Sequence, residues 1–139
     1  MRRFPSSEPY DGSADDAPIS KLWIGLIVEG LRDGDERIQV LPGTEDEFII
    51  RACSKGAWRD IMRPPAKMYR AFMQRLKVMA NFSLARRIPI EEGRFEVAYR
   101  DSTFEIKATV RARADGSEEA VVDLPELPPN KRLKLAGAP

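Results

Sequence analysis

Histidine is missing from all 139 residues. Its absence removes imidazole general-base chemistry, the Ser-His and Cys-His nucleophile arrangements, and the commonest metal ligand. Cysteine occurs once, at Cys53, so no intramolecular disulfide framework can form and a reducing compartment is expected. Its neighbours Ile49, Ile50 and Ala52 mark it as a buried, inert thiol. No apolar run approaches the ~20 residues that a spanning helix needs. Met1-Arg2-Arg3 is not followed by an apolar segment, so neither membrane insertion nor a secretory signal is expected, and the expected location is cytoplasmic. None of the nine glycines begins or completes a G-x-x-x-x-G-K-[ST] loop. With one Cys, no His and no clustered Asp/Asn spacing, neither a metal nor any other cofactor is expected. Acidic residues are also missing from one long stretch. None lies between Ile61 and Ile90, where Arg63, Lys67, Arg70, Arg75, Lys77, Arg86 and Arg87 are all basic.

What is present suits one folded unit. The length allows a single domain with a real core, and 42% apolar with 32% charged residues is the balance of a globular protein. Formal net charge is +1, so the molecule as a whole is no electrostatic magnet for nucleic acid or anionic lipid. Residues 1–17 are rich in Ser, Pro, Gly and Asp and are expected to form a disordered arm. Asp16 is placed to cap, and Pro18 to begin, a helix whose apolar stripe is Ile19, Leu22, Trp23, Leu26, Ile27 and Leu31, ending at Asp33-Gly34. Short strands follow at residues 37–41, 48–53 and 57–62, broken by Pro42-Gly43 and Ser54-Lys55-Gly56.

A second helix is expected over residues 66–80. Tyr69, Phe72, Met73, Leu76, Met79 and Ala80 recur at spacings of three and four, while Arg70, Gln74 and Lys77 mark the opposite side. Pro64 and Pro65 precede it and Asn81 is its expected terminator. Beyond the Arg86-Arg87 connector, Phe95, Val97 and Tyr99 alternate with polar neighbours, then Phe104 to Ala112 alternate apolar with charged residues as a half-buried strand should. Asp115-Gly116 is a strong hairpin signal, leading to a last strand at 120–124. The remainder, 125–139, reads as a flexible tail. The expected class is α+β, in the order helix, three strands, helix, three strands. Both helices should lie on one face of an antiparallel or mixed sheet of about six strands.

Little in this pattern suggests catalysis. Glu91-Glu92 read as adjacent loop carboxylates without an acid/base partner. Trp23, Trp58 and Phe72 read as core, and Gly25 and Gly30 as positions of close helix packing. The basic residues are ordinarily solvated surface. Their functional reading is anion recognition through guanidinium forks, with Arg86, Arg87, Arg94, Lys107, Arg111 and Arg113 flanking one sheet.

Several segments together are similar to a known family. PISKLWIGLIVEGLRDGDERIQVLP (18–42), DEFIIRACSKGAWRDIMRPP, MQRLKVMANFSLARRIPIEEGRFEV and Phe104–Leu124 resemble the domain that precedes the motor in the ATPases of type II secretion and type IV pilus assembly. The likeness covers about residues 18–124. It departs from the family where Arg37, Gln39 and Leu41 replace an Asp-x-His-x-Glu pattern, and where Ile90-Glu91-Glu92-Gly93-Arg94 replaces Gln-Asp-Gly-Arg. Lys107, with Thr109 after it, stands where the family has Arg and Ser. The resemblance implies that Arg94 and Lys107 lie where positive charge approaches nucleotide at a subunit boundary, the lysine without the bidentate fork. It also implies a free-standing, non-catalytic interaction or regulatory module, whose partner is a secretion or pilus ATPase or its assembly. The alternative is a small nucleotide- or nucleic-acid-binding protein that uses the basic face. Oligomeric state is left open.

Overall fold

The structure, a computed structural model, describes residues 18–82 and 88–126. The expected N-terminal arm, the Asp16 cap, the Arg86-Arg87 connector and the tail from residue 127 lie outside the described residues.

Proline's fixed φ suits a first helical turn, and Pro18 opens α1 (Pro18–Asp33). Trp23, Ile24, Leu26, Ile27 and Leu31 of that helix are buried. Three strands follow as an antiparallel meander, β1 (Arg37–Leu41), β2 (Ile49–Ser54) and β3 (Ala57–Met62). Lys55 and Gly56 both take positive φ, +54° and +79°, the geometry of a two-residue hairpin turn whose twist matches the strands. After Pro64-Pro65 the chain makes one 3-10 turn, Ala66–Met68, before α2 (Tyr69–Met79). The predicted start at 66 is therefore a tighter turn. The Met68 N–H donates back to the Pro65 carbonyl at 3.0 Å, and the Ala66 N–H is held by Asp46 O at 2.9 Å. Asn81 ends the helix with a left-handed φ of +62°, as its short side chain permits.

The second meander is β4 (Ile90–Tyr99), β5 (Ser102–Ala112) and β6 (Glu118–Asp123). All six strands form one sheet in the order β3-β2-β1-β6-β5-β4, and every neighbouring pair is antiparallel. The two meanders meet at β1 and β6, where Arg37 lies opposite Asp123 and Val40 opposite Ala120. Alternation turns Ile38, Val40, Ile50, Ala120, Val122, Ile106, Ala108 and Val97 inward beneath both helices. Across the helix pair the Trp23 ring stacks on Phe72 with centroids 4.1 Å apart. The Trp23 Nε1–H donates to the Phe72 carbonyl at 2.9 Å. Burying a side chain of this size contributes on the order of 1.5–3 kcal/mol, so this pair ties α1 to α2. The expected α+β class, element order and one-sided helix packing are all observed.

Three expectations need correction. β4 begins at Ile90, not near Phe95, and Glu91 and Glu92 are strand residues rather than loop carboxylates. Strand pairing uses backbone groups, so the ladder runs unbroken from Ile90↔Arg111 to Tyr99↔Ser102 without needing apolar side chains. Trp58 is not core. It lies opposite Cys53 on the helix-free face of edge strand β3, half-buried, with the Arg51 guanidinium 5.7 Å from its ring centre. Gly30 does mark close packing, since an added Cβ would stand 2.7 Å from Leu124 Cδ1, but Gly25 has nothing within 4 Å. Cys53 is buried, as its sequence context indicated.

Candidate functional site

The face of the sheet that carries no helix collects most of the candidate residues. In β5, alternation sends Phe104, Ile106, Ala108 and Val110 to the core, and therefore Glu105, Lys107, Thr109 and Arg111 to the other side. In β4 the same rule sends Glu92, Arg94 and Glu96 outward, while Phe95 and Val97 are buried. Arg94 and Lys107 are direct cross-strand neighbours, Lys107 faces Asp123 of β6, and Asp123 faces Arg37 of β1. Two residues proposed from sequence thus stand side by side. Arg111 shares their face, and Arg113 lies just past the end of β5. Arg86 and Arg87 lie outside the described residues.

The electrostatics differ from a simple basic patch. Arg94 Nη1 lies 3.0 Å from Glu105 Oε1. Lys107 Nζ is 3.6 Å from Glu92 Oε2 and 4.0 Å from Asp123 Oδ2, whose other oxygen is 3.2 Å from Arg37 Nε. Arg113 Nη1 is 3.7 Å from Glu119 Oε1, and Gln39 donates to that carboxylate at 3.4 Å. Arg111 has no ion-pair partner among the described residues. The face is a lattice of alternating charge in which four carboxylates meet the cations. Sequence reasoning missed Glu92, Glu105, Glu119 and Asp123 as members of this lattice. The alternation of β5 held the signal for Glu105, but the others depend on long-range register.

Similar pairing engages Arg63 and Lys77 of the basic stretch, and Arg59 just before it. Arg63 bonds Asp60 at 2.6 Å and Glu47 at 3.3 Å, and these carboxylates raise its pKa, Asp60 foremost. Arg59 of β3 forks onto both oxygens of Asp35 at 3.0 and 3.1 Å. That hydrogen bonding is the main cause of its raised pKa and satisfies a carboxylate that is only 5% exposed. Lys77, placed on the outer side of α2 from its spacing, reaches down to Glu118 of β6 at 2.8 Å. Beside it the Tyr69 hydroxyl donates to the Glu118 carbonyl. Burial, and then the Glu118 charge, push the Tyr69 phenol up to about 12. These groups border a cleft of about 390 Å³ between α2 and the β5–β6 hairpin, floored by Met73, Phe82, Val110 and Ala112.

Among the described residues, no group of three or more His, Cys, Asp or Glu could hold a metal ion. No described helix is long and apolar enough to cross a membrane. What the geometry defines is an α+β domain presenting a balanced, charge-laddered sheet face.

Comparison with known proteins gives that domain its kinship. No protein-family model matches the chain. Over 85 residues it is 33% identical to the type IV pilus assembly ATPase PilB of Myxococcus xanthus, covering 61% of this chain and 15% of that protein. It is 26% identical over 113 residues to the type II secretion system ATPase E of Vibrio cholerae, covering 81% of this chain and 22% of that protein. With the type II secretion system protein HxcR of Pseudomonas aeruginosa it shares 24% identity over 137 residues, which is 99% of this chain and 29% of the relative. The chain is a relative of the ATPases of type II secretion and type IV pilus assembly, as its motifs indicated. It spans less than a third of the length of the relatives it matches.

Proposed function

We propose that the protein is a non-catalytic interaction module that acts with an ATPase assembly of the type II secretion or type IV pilus kind. The observation that carries this reading is the pairing of two facts. Up to 99% of the chain aligns with such a protein, while its 139 residues contain no G-x-x-x-x-G-K-[ST] loop to hold a nucleotide's phosphates. The charge lattice supports the same reading. Cations already matched to carboxylates suit a protein surface of mixed charge better than a phosphate-rich polyanion. Arg94 and Lys107, adjacent on that lattice, are the residues assigned to partner contact.

The test has two arms. Incubated with ATP and Mg²⁺, the purified protein should release no phosphate above buffer; turnover abolished by substituting a residue of this chain would overturn the reading. Titrated against a purified secretion or pilus ATPase of its own organism, the wild type should bind. The Arg94→Ala/Lys107→Ala double variant should fold normally, because exposed ion pairs add little stability, and should bind about tenfold more weakly, as loss of rim charge does. Equal affinity for both proteins would remove these two residues from the interface.

A further inference from the structure

The two edges of the sheet are built differently. β3 is short, its pairing with β2 is irregular at Ile50/Arg51, and Pro64-Pro65 follow it closely. Irregular pairing and proline are recognised ways of blunting an edge. β4 is preceded by Pro89 but contains no proline, and its register with β5 runs regularly through ten residue pairs. No strand lies beyond it among the described residues.

The phase of the β4–β5 ladder shows which backbone groups face that free edge. The Ala112 N–H donates to the Pro89 carbonyl at 2.8 Å, so Pro89 and Ala112 form a hydrogen-bonded pair. In an antiparallel ladder such pairs alternate with non-bonded ones. Hence Ile90, Glu92, Arg94, Glu96 and Ala98 turn their N–H and C=O groups outward from the sheet. The side chains of Ile90, Glu92, Arg94 and Glu96 are also exposed, Ile90 to 52%.

These outward residues carry charge in the order Glu92, Arg94, Glu96. We infer that the free edge of β4 pairs antiparallel with the same edge of a second copy of this chain, about a two-fold axis at Phe95. In that register each Arg94 lies opposite Glu96 of the second copy, so two opposite-charge cross-strand pairs form. Shifting the axis to Arg94 places Arg94 opposite itself and Glu92 opposite Glu96, which is repulsive throughout. An axis at Gly93 restores opposite charges (Glu92 against Arg94), but it overlaps only Ile90–Glu96 of the strands, against Glu91–Tyr99 for the Phe95 axis. The Arg94–Glu105 pair is no obstacle. Both side chains are more than half exposed, 56% and 59%, and such pairs are cheap to exchange. The pairing is isologous and therefore closes at two copies. One continuous sheet then runs through both, with the charge lattice continuous across the junction. A second copy is favoured over a foreign strand because the charge order complements itself.

Sedimentation equilibrium from low micromolar to near-millimolar protein, at low salt, tests this. The wild type should pass from monomer to dimer. Arg94→Glu should weaken the dimer about tenfold, because both cross-strand pairs become like-charged. Glu96→Arg should do the same, and it serves alone if the first variant fails to fold by circular dichroism. The exchange Arg94→Glu/Glu96→Arg should restore wild-type association. A chain that stays monomeric throughout overturns the inference. So does a dimer indifferent to the single reversals, or one that the double exchange does not recover.

Discussion

A methyl group at position 93 would stand 2.3 Å from the Ala80 carbonyl oxygen and 2.7 Å from the Phe82 ring. The first neighbour is backbone at the end of α2 and cannot swing aside, so helix and strand approach closely at Gly93. Gly93→Ala should destabilise the fold by about 1–3 kcal/mol, the usual range for overpacking, read as a lowered urea midpoint. Gly25→Ala is the control. It lies in α1 with nothing within 4 Å of the added carbon, and helix propensity alone should stabilise it by up to about 1 kcal/mol. Equal midpoints would mean that the close approach at Gly93 is wrong. Tyr69 makes a second prediction at this scale. Its phenol keeps its proton in the fold up to about 12, against 10.0 for the free side chain. The contribution is therefore complete below pH 10 and lost as pH rises toward 12. Tyr69→Phe loses the hydrogen bond to Glu118 and should cost about 0.5–1.5 kcal/mol at pH 8. That gap should narrow across pH 10–12; a constant gap would contradict the assigned cause.

The elements that could be read from the sequence are those whose side chains repeat without interruption. α1, α2 and β5 each bury one unbroken stripe, and their periods of 3.6 or two survive in the residue order. The first half of β4 could not be read this way. Ile90-Glu91-Glu92-Gly93 has no apolar alternation because one of its faces is solvent and the other has a glycine beneath the end of α2. Trp58 misled for the converse reason. A large apolar residue on an edge strand can lie opposite Cys53 and beside an arginine guanidinium without entering the core. The candidate site was half legible. Resemblance picked out Arg94 and Lys107, and register makes them neighbours. Their carboxylate partners come from β4, β5 and β6, and a partner such as Asp123, 86 residues from Arg37, can be assigned only once the sheet order is known.

At the scale of the whole molecule, each half of the chain is a helix followed by a three-stranded meander, and neither half closes a core alone. The β1–β6 ladder stitches the meanders through Ile38↔Val122 and Val40↔Ala120, all four residues buried. On the helix side, Trp23 of the first half stacks on Phe72 of the second and donates to its carbonyl. One contiguous core crosses the junction, so opening either half exposes apolar surface of the other. A single domain of this size should then unfold in one step. Substituting Trp58→Phe leaves Trp23 as the sole tryptophan, a fluorescent reporter at the seam between the helices. Its urea midpoint should coincide with that of far-UV circular dichroism, which follows helices and strands of both halves together. A Trp23 transition at lower urea, with most of the ellipticity intact, would show the halves separating before they unfold and would break the argument for a shared core.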